Sequence, residues 1–148
     1  MTKKNDKLHA PLRLIAADAE DLKVISSYLQ DAVLKVGDIA YQPQRRRFAM
    51  VLNRFRWERS ARGPQERVRT GIHFDDVARV AYRNIRTDAK DAVLSLLAID
   101  FETKEDGGGA VTLTFSGGGA IRLDVESVNA LLDDISRPWR TASRPKHD

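Results

Sequence analysis

The chain has 148 residues, the size of a single globular domain, and its 42% hydrophobic content is enough for a folded core. It contains no cysteine, which excludes a disulfide framework, thiolate metal sites and a cysteine nucleophile. The net charge of +4 is unevenly placed, because residues 36–90 carry 13 Lys and Arg against 6 Asp and Glu, whereas residues 91–136 carry 2 against 9.

The N-terminal part predicts a short strand and an amphipathic helix. Residues 12–15 are mainly apolar and favour the strand, and the helix follows over about 19–32. Asp18 is placed to cap its first turn. The apolar face recurs at helical spacing and consists of Leu22, Ile25 and Leu29.

From Ile39 to Val125 a two-residue alternation predicts about seven short strands, mostly joined as hairpins. The clearest strand begins at Arg47, and the odd spacing from Leu52 to Phe55 predicts a β-bulge near Asn53. The nearly continuous apolar run over 92–102 is typical of a strand covered on both faces. The other strands are predicted at 38–42, 67–74, 77–85, 111–115 and 121–125.

A second helix is predicted near the C-terminus. Ser127 or Asp124 can cap it, and Pro138 follows soon after its end. Trp139 is expected to pack back onto its apolar face. That face has helical spacing and consists of Val128, Leu131, Leu132 and Ile135.

These elements predict one α+β domain over 12–139, with flexible tails at 1–11 and 140–148. About seven mostly antiparallel strands must close into a barrel or be covered, because open edges invite aggregation. The strand order with a C-terminal capping helix resembles the pleckstrin-homology-like barrel over residues 36–137, here with an added N-terminal helix. The alternative is a two-layer sheet with both helices on one face.

Three stretches resemble an uncharacterised alphaproteobacterial family of unknown function. They are PLRLIAADAEDLKVISSYLQDAV at 11–33, VGDIAYQPQRRRFAMVLNRFRWE at 36–58 and RVRTGIHFDDV at 67–77. The resemblance implies a cytoplasmic bacterial protein and supplies no activity and no site residues.

The hydropathy pattern predicts neither a membrane span nor a secretory signal. The apolar run from Val93 to Ile99 is far shorter than the ~20 residues that a spanning helix needs. The N-terminal lysines precede no long apolar region, because Arg13 and Asp18 interrupt it. We therefore expect a cytoplasmic location and no membrane partner.

Arginines interleaved with aromatic residues form the main candidate binding face. Guanidinium groups bind carboxylates and phosphates at two points, and exposed aromatic rings stack on bases. We expect a non-enzymatic binding or scaffold module that contacts an unknown protein partner or a second copy of itself. The alternatives are RNA or DNA binding through the same face, or pairing with the acidic half of the same chain. The face comprises Arg47, Arg54, Arg56, Trp57, Arg67 and Arg69.

The stretch Asn53 to Glu58 also has a purely structural interpretation. Phe55 and Trp57 then lie in the core, and Arg54 pairs with a carboxylate such as Glu58 or Asp38. A bulge at Asn53 would instead re-aim Arg54 and Trp57 at a functional site.

His73 and Asp75 form a second candidate, a cleft for a small-ligand carrier or an enzyme. An imidazole beside a carboxylate can act as a base with an orienting acid, or as part of a metal site. A strand-end histidine followed by a turn that Asp75 or Asp76 caps explains the same pattern. No nucleophile or further ligand is evident, so the sequence predicts no catalytic residue, no metal and no cofactor.

Overall fold

The computed structural model describes residues 11–59, 61–105, 108–142 and 144–145. Over these ranges the chain forms one α-helix and eleven strands. The helix α1 spans Ala19–Leu29. The strands are β1 (Arg13–Ala16), β2 (Val33–Lys35), β3 (Ile39–Gln42), β4 (Arg47–Phe55), β5 (Glu66–Phe74), β6 (Val77–Arg83), β7 (Val93–Thr103), β8 (Gly109–Phe115), β9 (Ala120–Val125), β10 (Ala130–Asp134) and β11 (Trp139–Arg140).

Helix α1 confirms the predicted cap and apolar face. The Asp18 carboxylate accepts a hydrogen bond of 2.8 Å from the Asp21 backbone N–H, one of the first-turn donors that a helix leaves unsatisfied. The helix ends before the predicted residue 32, since Asp31 takes a positive φ of 66° and its N–H donates to the Leu96 carbonyl. Its apolar face is fully buried: Leu22, Ile25 and Leu29.

The strands form one antiparallel sheet in the order β1-β10-β5-β4-β2-β7-β8-β9-β6, with β3 added to β4 and β11 added to β5. Over the described residues this sheet is open, with β1 and β6 at its ends. The predicted closure into a pleckstrin-homology-like barrel is therefore wrong. Among the described residues, one hydrophobic core includes side chains from strands near both ends of the sheet. Phe48 of β4 and Phe74 of β5 belong to it, and so do Leu113 of β8 and Leu123 of β9. Helix α1 packs against β1, β4 and β7.

The predicted C-terminal helix is wrong, because this segment forms β10. The strand lies between β1 and β5, with Leu132 opposite Leu14 on one side and Ile72 on the other. Ala130 and Leu132 point into the core at the two-residue spacing of a strand. Trp139 does not pack on a helix; it pairs with Arg67 in the β11–β5 ladder.

Two details of the central strands also differ from expectation. The pairing of β4 with β5 is regular from Phe48 to Phe55, so the predicted bulge near Asn53 is wrong. Strand β7 is not covered on both faces, because Val93 remains 66% exposed. The predicted alternation of the β8–β9 hairpin is confirmed.

The division into a domain over 12–139 and two flexible tails stays a prediction, since residues 1–10 and 146–148 lie outside the described residues. Within the described part of the predicted C-terminal tail, Arg140 pairs with Glu66. The Thr141 N–H donates to the Gln65 carbonyl over 2.9 Å. No helix in the described ranges is long and apolar enough to cross a membrane.

Candidate functional site

Arg54, one of the residues of the predicted binding face, points into the core. Its side chain is fully buried, and its Nε and Nη2 atoms donate to the Asp134 carboxylate over 2.9 and 2.8 Å. Nη1 donates to Glu58 over 2.9 Å. Burial alone would lower the pKa of Arg54, but hydrogen bonds to Asp134 and Glu58 raise it above its ordinary value. Arg54 is therefore a buried structural cation that no partner can reach.

Arg56 is also buried and paired within the fold. Its Nη1 donates to the Glu66 carboxylate over 2.6 Å, and its Nε lies 3.5 Å from Glu58. Arg59 adds a second cation 3.3 Å from Glu66. The expectation that Arg54 and Arg56 face outward is wrong, because carboxylates inside the fold offset the desolvation of both guanidinium groups. The predicted pairing of Arg54 with Glu58 is confirmed.

Arg47 and Arg69 lie on the outer face of the sheet, but each has an acidic neighbour. Arg47 Nε donates to the Asp75 carboxylate over 2.7 Å. Arg69 lies 3.6 Å from the Asp38 carboxylate and donates to the Asn53 side-chain oxygen over 3.3 Å. Carboxylates of the same chain thus pair with both arginines, but Asp75 and Asp38 belong to residues 36–90 and not to the acidic half that the alternative named.

Trp57 belongs to an aromatic pair that the chain's own cations cover. Its Nε1 donates to the Gln30 carbonyl over 2.9 Å, and its ring meets the Phe55 ring edge-on at 4.7 Å between centroids. The Arg144 guanidinium lies 4.9 Å from the Trp57 ring and 5.4 Å from the Phe55 ring. Arg67 lies 5.7 Å from the Phe55 ring. These cation–π contacts stabilise the aromatic pair and leave little of it for a partner.

His73 and Asp75 do come together, with His73 Nδ1 3.5 Å from the Asp75 carboxylate. Burial lowers the pKa of His73, and the nearby Arg47 charge lowers it further. The hydrogen bond from Arg47 lowers the pKa of Asp75, so that carboxylate is already engaged. In the described ranges, no group of three or more His, Asp or Glu side chains is arranged to hold a metal ion.

The sequence-based reasoning missed a second cationic cluster, on β6 and β9. Arg79 and Arg122 each lie 3.1 Å from the Asp124 carboxylate, and Lys104 lies 3.5 Å from it. Hydrogen bonds from Arg79 and Arg122 lower the pKa of Asp124, although burial would raise it. The side chain of Arg79 is 77% exposed, that of Arg122 is 53% exposed, and that of Lys104 is 45% exposed. The single negative charge of Asp124 is therefore shared by three exposed cations, so the cluster keeps a net positive charge.

Arg83 adds a fourth cation, and it forms no ion pair with any described residue. It borders a shallow cavity of about 330 Å³ whose other lining residues include the small side chains Ala81, Thr112 and Ala120. Ala81 and Thr112 both lie directly opposite Arg122, and directly opposite residues share a face. We call this surface the β6–β9 face: Arg79, Ala81, Arg83, Lys104, Ala120, Arg122 and Asp124.

The profile of a family described as a protein of unknown function, DUF2948, matches residues 12–147. The chain belongs to this family. The predicted resemblance to an uncharacterised family is thereby confirmed, while an alphaproteobacterial origin stays a prediction. No curated protein and no solved structure matches the chain.

In this member of DUF2948 the β6–β9 face has an acidic border. On β7, Asp100 lies opposite Thr112 and Glu102 lies opposite Ala110, which places both carboxylates on the same side of the sheet as Arg122. The surface is thus basic on β6 and β9 and acidic on β7. The sequence contains one indication of this basic face, because Arg79 and Arg83 stand at alternating positions of the predicted 77–85 strand and so share one side of it.

Proposed function

We propose that this DUF2948 protein is a non-enzymatic binding module that contacts an acidic protein partner through the β6–β9 face. The observation that carries the proposal is the sharing of Asp124 by Arg79, Arg122 and Lys104, next to Arg83, which pairs with no described carboxylate. On β4 and β5, Arg47, Arg54 and Arg69 lack this excess because they meet carboxylates of their own chain. Arg67 donates to the backbone carbonyls of Asp31 and Asn53 and lies against the Phe55 ring. Positive charge that the fold leaves uncompensated is available to a partner.

The chemistry of the face suits carboxylate groups. Guanidinium groups bind carboxylates at two points, and the cavity beside Arg83 and Arg122 offers small side chains against which a partner can pack. Exposed charges of this kind contribute mainly to partner choice and association rate. We therefore expect binding that weakens as the salt concentration rises.

The acidic border favours a protein over a nucleic acid. A phosphate backbone that crosses the sheet beyond Arg122 meets Asp100 and Glu102 on β7, where like charges repel it. A protein partner can place acidic side chains near the arginines and neutral or basic side chains near β7. RNA or DNA binding through this face is the alternative that the experiment must separate.

The test compares two double variants that change the net charge equally. Arg83→Glu/Arg122→Glu alters the β6–β9 face, and Arg13→Glu/Arg137→Glu alters two exposed arginines elsewhere. Fluorescence anisotropy measures binding of a peptide of alternating glutamate and valine, and of a single-stranded DNA of similar length, at about 50 and 200 mM salt. Circular dichroism verifies that both variants fold.

We expect the first variant to lose at least about tenfold in peptide affinity and the control to change little, because only the first removes attraction at the binding face. Equal losses in both variants would show general charge attraction and would overturn the proposal. Tighter binding of DNA than of peptide, lost in the same variant, would assign the face to nucleic acid instead.

A further inference from the structure

Strand β6 is an edge strand with an uncovered backbone. The strand order ends at β6, and its ladder partner in the described sheet is β9 alone. Ala81, Tyr82 and Arg83 are all exposed, although successive residues point to opposite faces, so both faces are accessible here. Between Arg79 and Arg83, the backbone groups that point away from β9 form no hydrogen bond with another described segment. They are open to an added strand.

We propose that β6 accepts an extended acidic segment of the partner as an additional β-strand. This inference rests on the proposed function and specifies how the β6–β9 face holds its partner. Main-chain hydrogen bonds to β6 supply affinity, and side chains on the two faces of the added strand supply specificity.

The charges on β6 select the occupant. Arg79 and Arg83 lie on the same face of the strand, about 13 Å apart along it. If a second copy of the chain paired through β6 in an antiparallel manner centred on Ala81, Arg79 would oppose Arg83, and like charges opposite each other are destabilising. Acidic side chains of an added strand that lie opposite Arg79 and Arg83 are stabilised by the attraction between opposite charges. The two arginines thus disfavour pairing of β6 with a second copy of the chain and favour an acidic strand.

The opposite face of β6 favours apolar side chains. Tyr82 points to this face, is 41% exposed, and lines a small cleft of about 50 Å³ together with Ile39 and Ile85. Side chains of an added strand alternate between the two faces. The segment that fits β6 therefore alternates acidic residues, which meet Arg79 and Arg83, with apolar residues, which meet Tyr82.

The experiment uses a peptide of alternating glutamate and valine in three forms. One form is unmodified, the second carries N-methyl groups on all glutamate amides, and the third carries them on all valine amides. Successive amides of a strand point to opposite edges. For antiparallel addition, the more stable pairing, one of the methylated forms therefore blocks hydrogen bonding to β6 and the other leaves it intact. Both methylated peptides have the same charge and nearly the same composition.

We expect one methylated peptide to bind at least about tenfold more weakly than the other, because several main-chain hydrogen bonds are lost together. Bound unmodified peptide should slow amide hydrogen exchange in residues 79–83 and leave β1, at the other end of the sheet, unchanged. Equal affinity of all three peptides, with unchanged exchange in β6, would overturn strand addition.

The two proposals fail in different ways. If the three peptides bind equally but Arg83→Glu/Arg122→Glu still abolishes binding, the β6–β9 face binds acidic partners without adding a strand. If the unmodified peptide does not bind the wild-type protein at low salt, the proposed function fails and strand addition fails with it.

Discussion

The Arg54 guanidinium and the Asp134 carboxylate form a two-point ion pair inside the core, although 80 residues separate them in the chain. Asp134 is only 3% exposed and also accepts hydrogen bonds from the Thr70 hydroxyl and the Leu12 N–H. Glu58 binds the other side of Arg54. The pair connects β4 to β10 across β5, so it joins the middle of the chain to its C-terminal part.

Arg54→Met should lower the free energy of unfolding by about 3–5 kcal/mol, because it leaves Asp134 buried without its cation. Asp134→Leu should destabilise the protein by less, because Arg54 keeps Glu58 as a partner. The double variant Arg54→Met/Asp134→Leu should cost less than the sum, because it removes the buried Asp134 charge together with its cation. Urea unfolding measures this cycle, and Arg83→Met, at an exposed position, is the control. Additive losses would show that the two residues act independently.

The same pair explains two of the wrong predictions. Arg54 occupies the core-facing position after Phe48, Met50 and Leu52, and a charge there ends the apolar alternation early, which suggested a bulge. Asp134 likewise follows Ala130 and Leu132 on the inner face of β10. Because the charge at Asp134 shortens the inner alternation to two residues, helical spacing matched the apolar residues of this segment instead: Val128, Leu131, Leu132 and Ile135.

Elements stabilised by local contacts were predictable, whereas those that depend on distant partners were not. Helix α1 carries its own cap at Asp18 and its own apolar face, and the β8–β9 hairpin pairs neighbouring segments. Strand β10 exists because β1 and β5 flank it, and both are more than fifty residues away in the chain. The arginines could be identified from the sequence. Their carboxylate partners could not, because tertiary pairing brings them together.

The buried network should make stability sensitive to acid. Burial would raise the pKa of Asp134 and of Glu58, but hydrogen bonds from Arg54 lower both below their usual range. A carboxyl group with a lowered pKa contributes stability that is complete above its unfolded pKa, near 4, and is lost as the pH falls toward the folded pKa. We expect the free energy of unfolding to fall steadily between about pH 5 and 2.

The Arg54→Met variant is the control for this acid dependence. Without Arg54, burial still raises the pKa of Asp134 and only the hydrogen bonds from Leu12 and Thr70 oppose it, so the slope contributed by this group should shrink. Urea unfolding at a series of pH values gives the slope of the free energy of unfolding against pH for the wild type and for the variant. Identical slopes in the wild type and the variant would mean that other carboxyl groups, such as Asp75 and Asp124, produce the acid sensitivity.

His73 should titrate below the usual range of histidine, since burial and then the Arg47 charge lower its pKa while Asp75 opposes them. Arg47→Met should raise the pKa of His73, because it removes a nearby positive charge and releases the Asp75 carboxylate. NMR titration of the imidazole C–H signals measures the shift. His9 and His147, outside the described residues, serve as internal references. A pKa that stays constant or falls would contradict this account of the His73, Asp75 and Arg47 contacts.

Two glycines should respond oppositely to substitution. On the outer face of β5, a Cβ added to Gly71 meets no atom within 4 Å, so Gly71→Thr should stabilise the protein by up to about 1 kcal/mol through lower backbone entropy and higher strand propensity. At Gly109, a Cβ would lie 2.5 Å from the Glu102 carbonyl oxygen and 2.5 Å from the Phe101 ring. Gly109→Ala should therefore destabilise by about 1–3 kcal/mol, because the β7–β8 pair must shift. Urea unfolding compares the two variants, and a stabilising Gly109→Ala would contradict the close approach of β7 to β8 at this position.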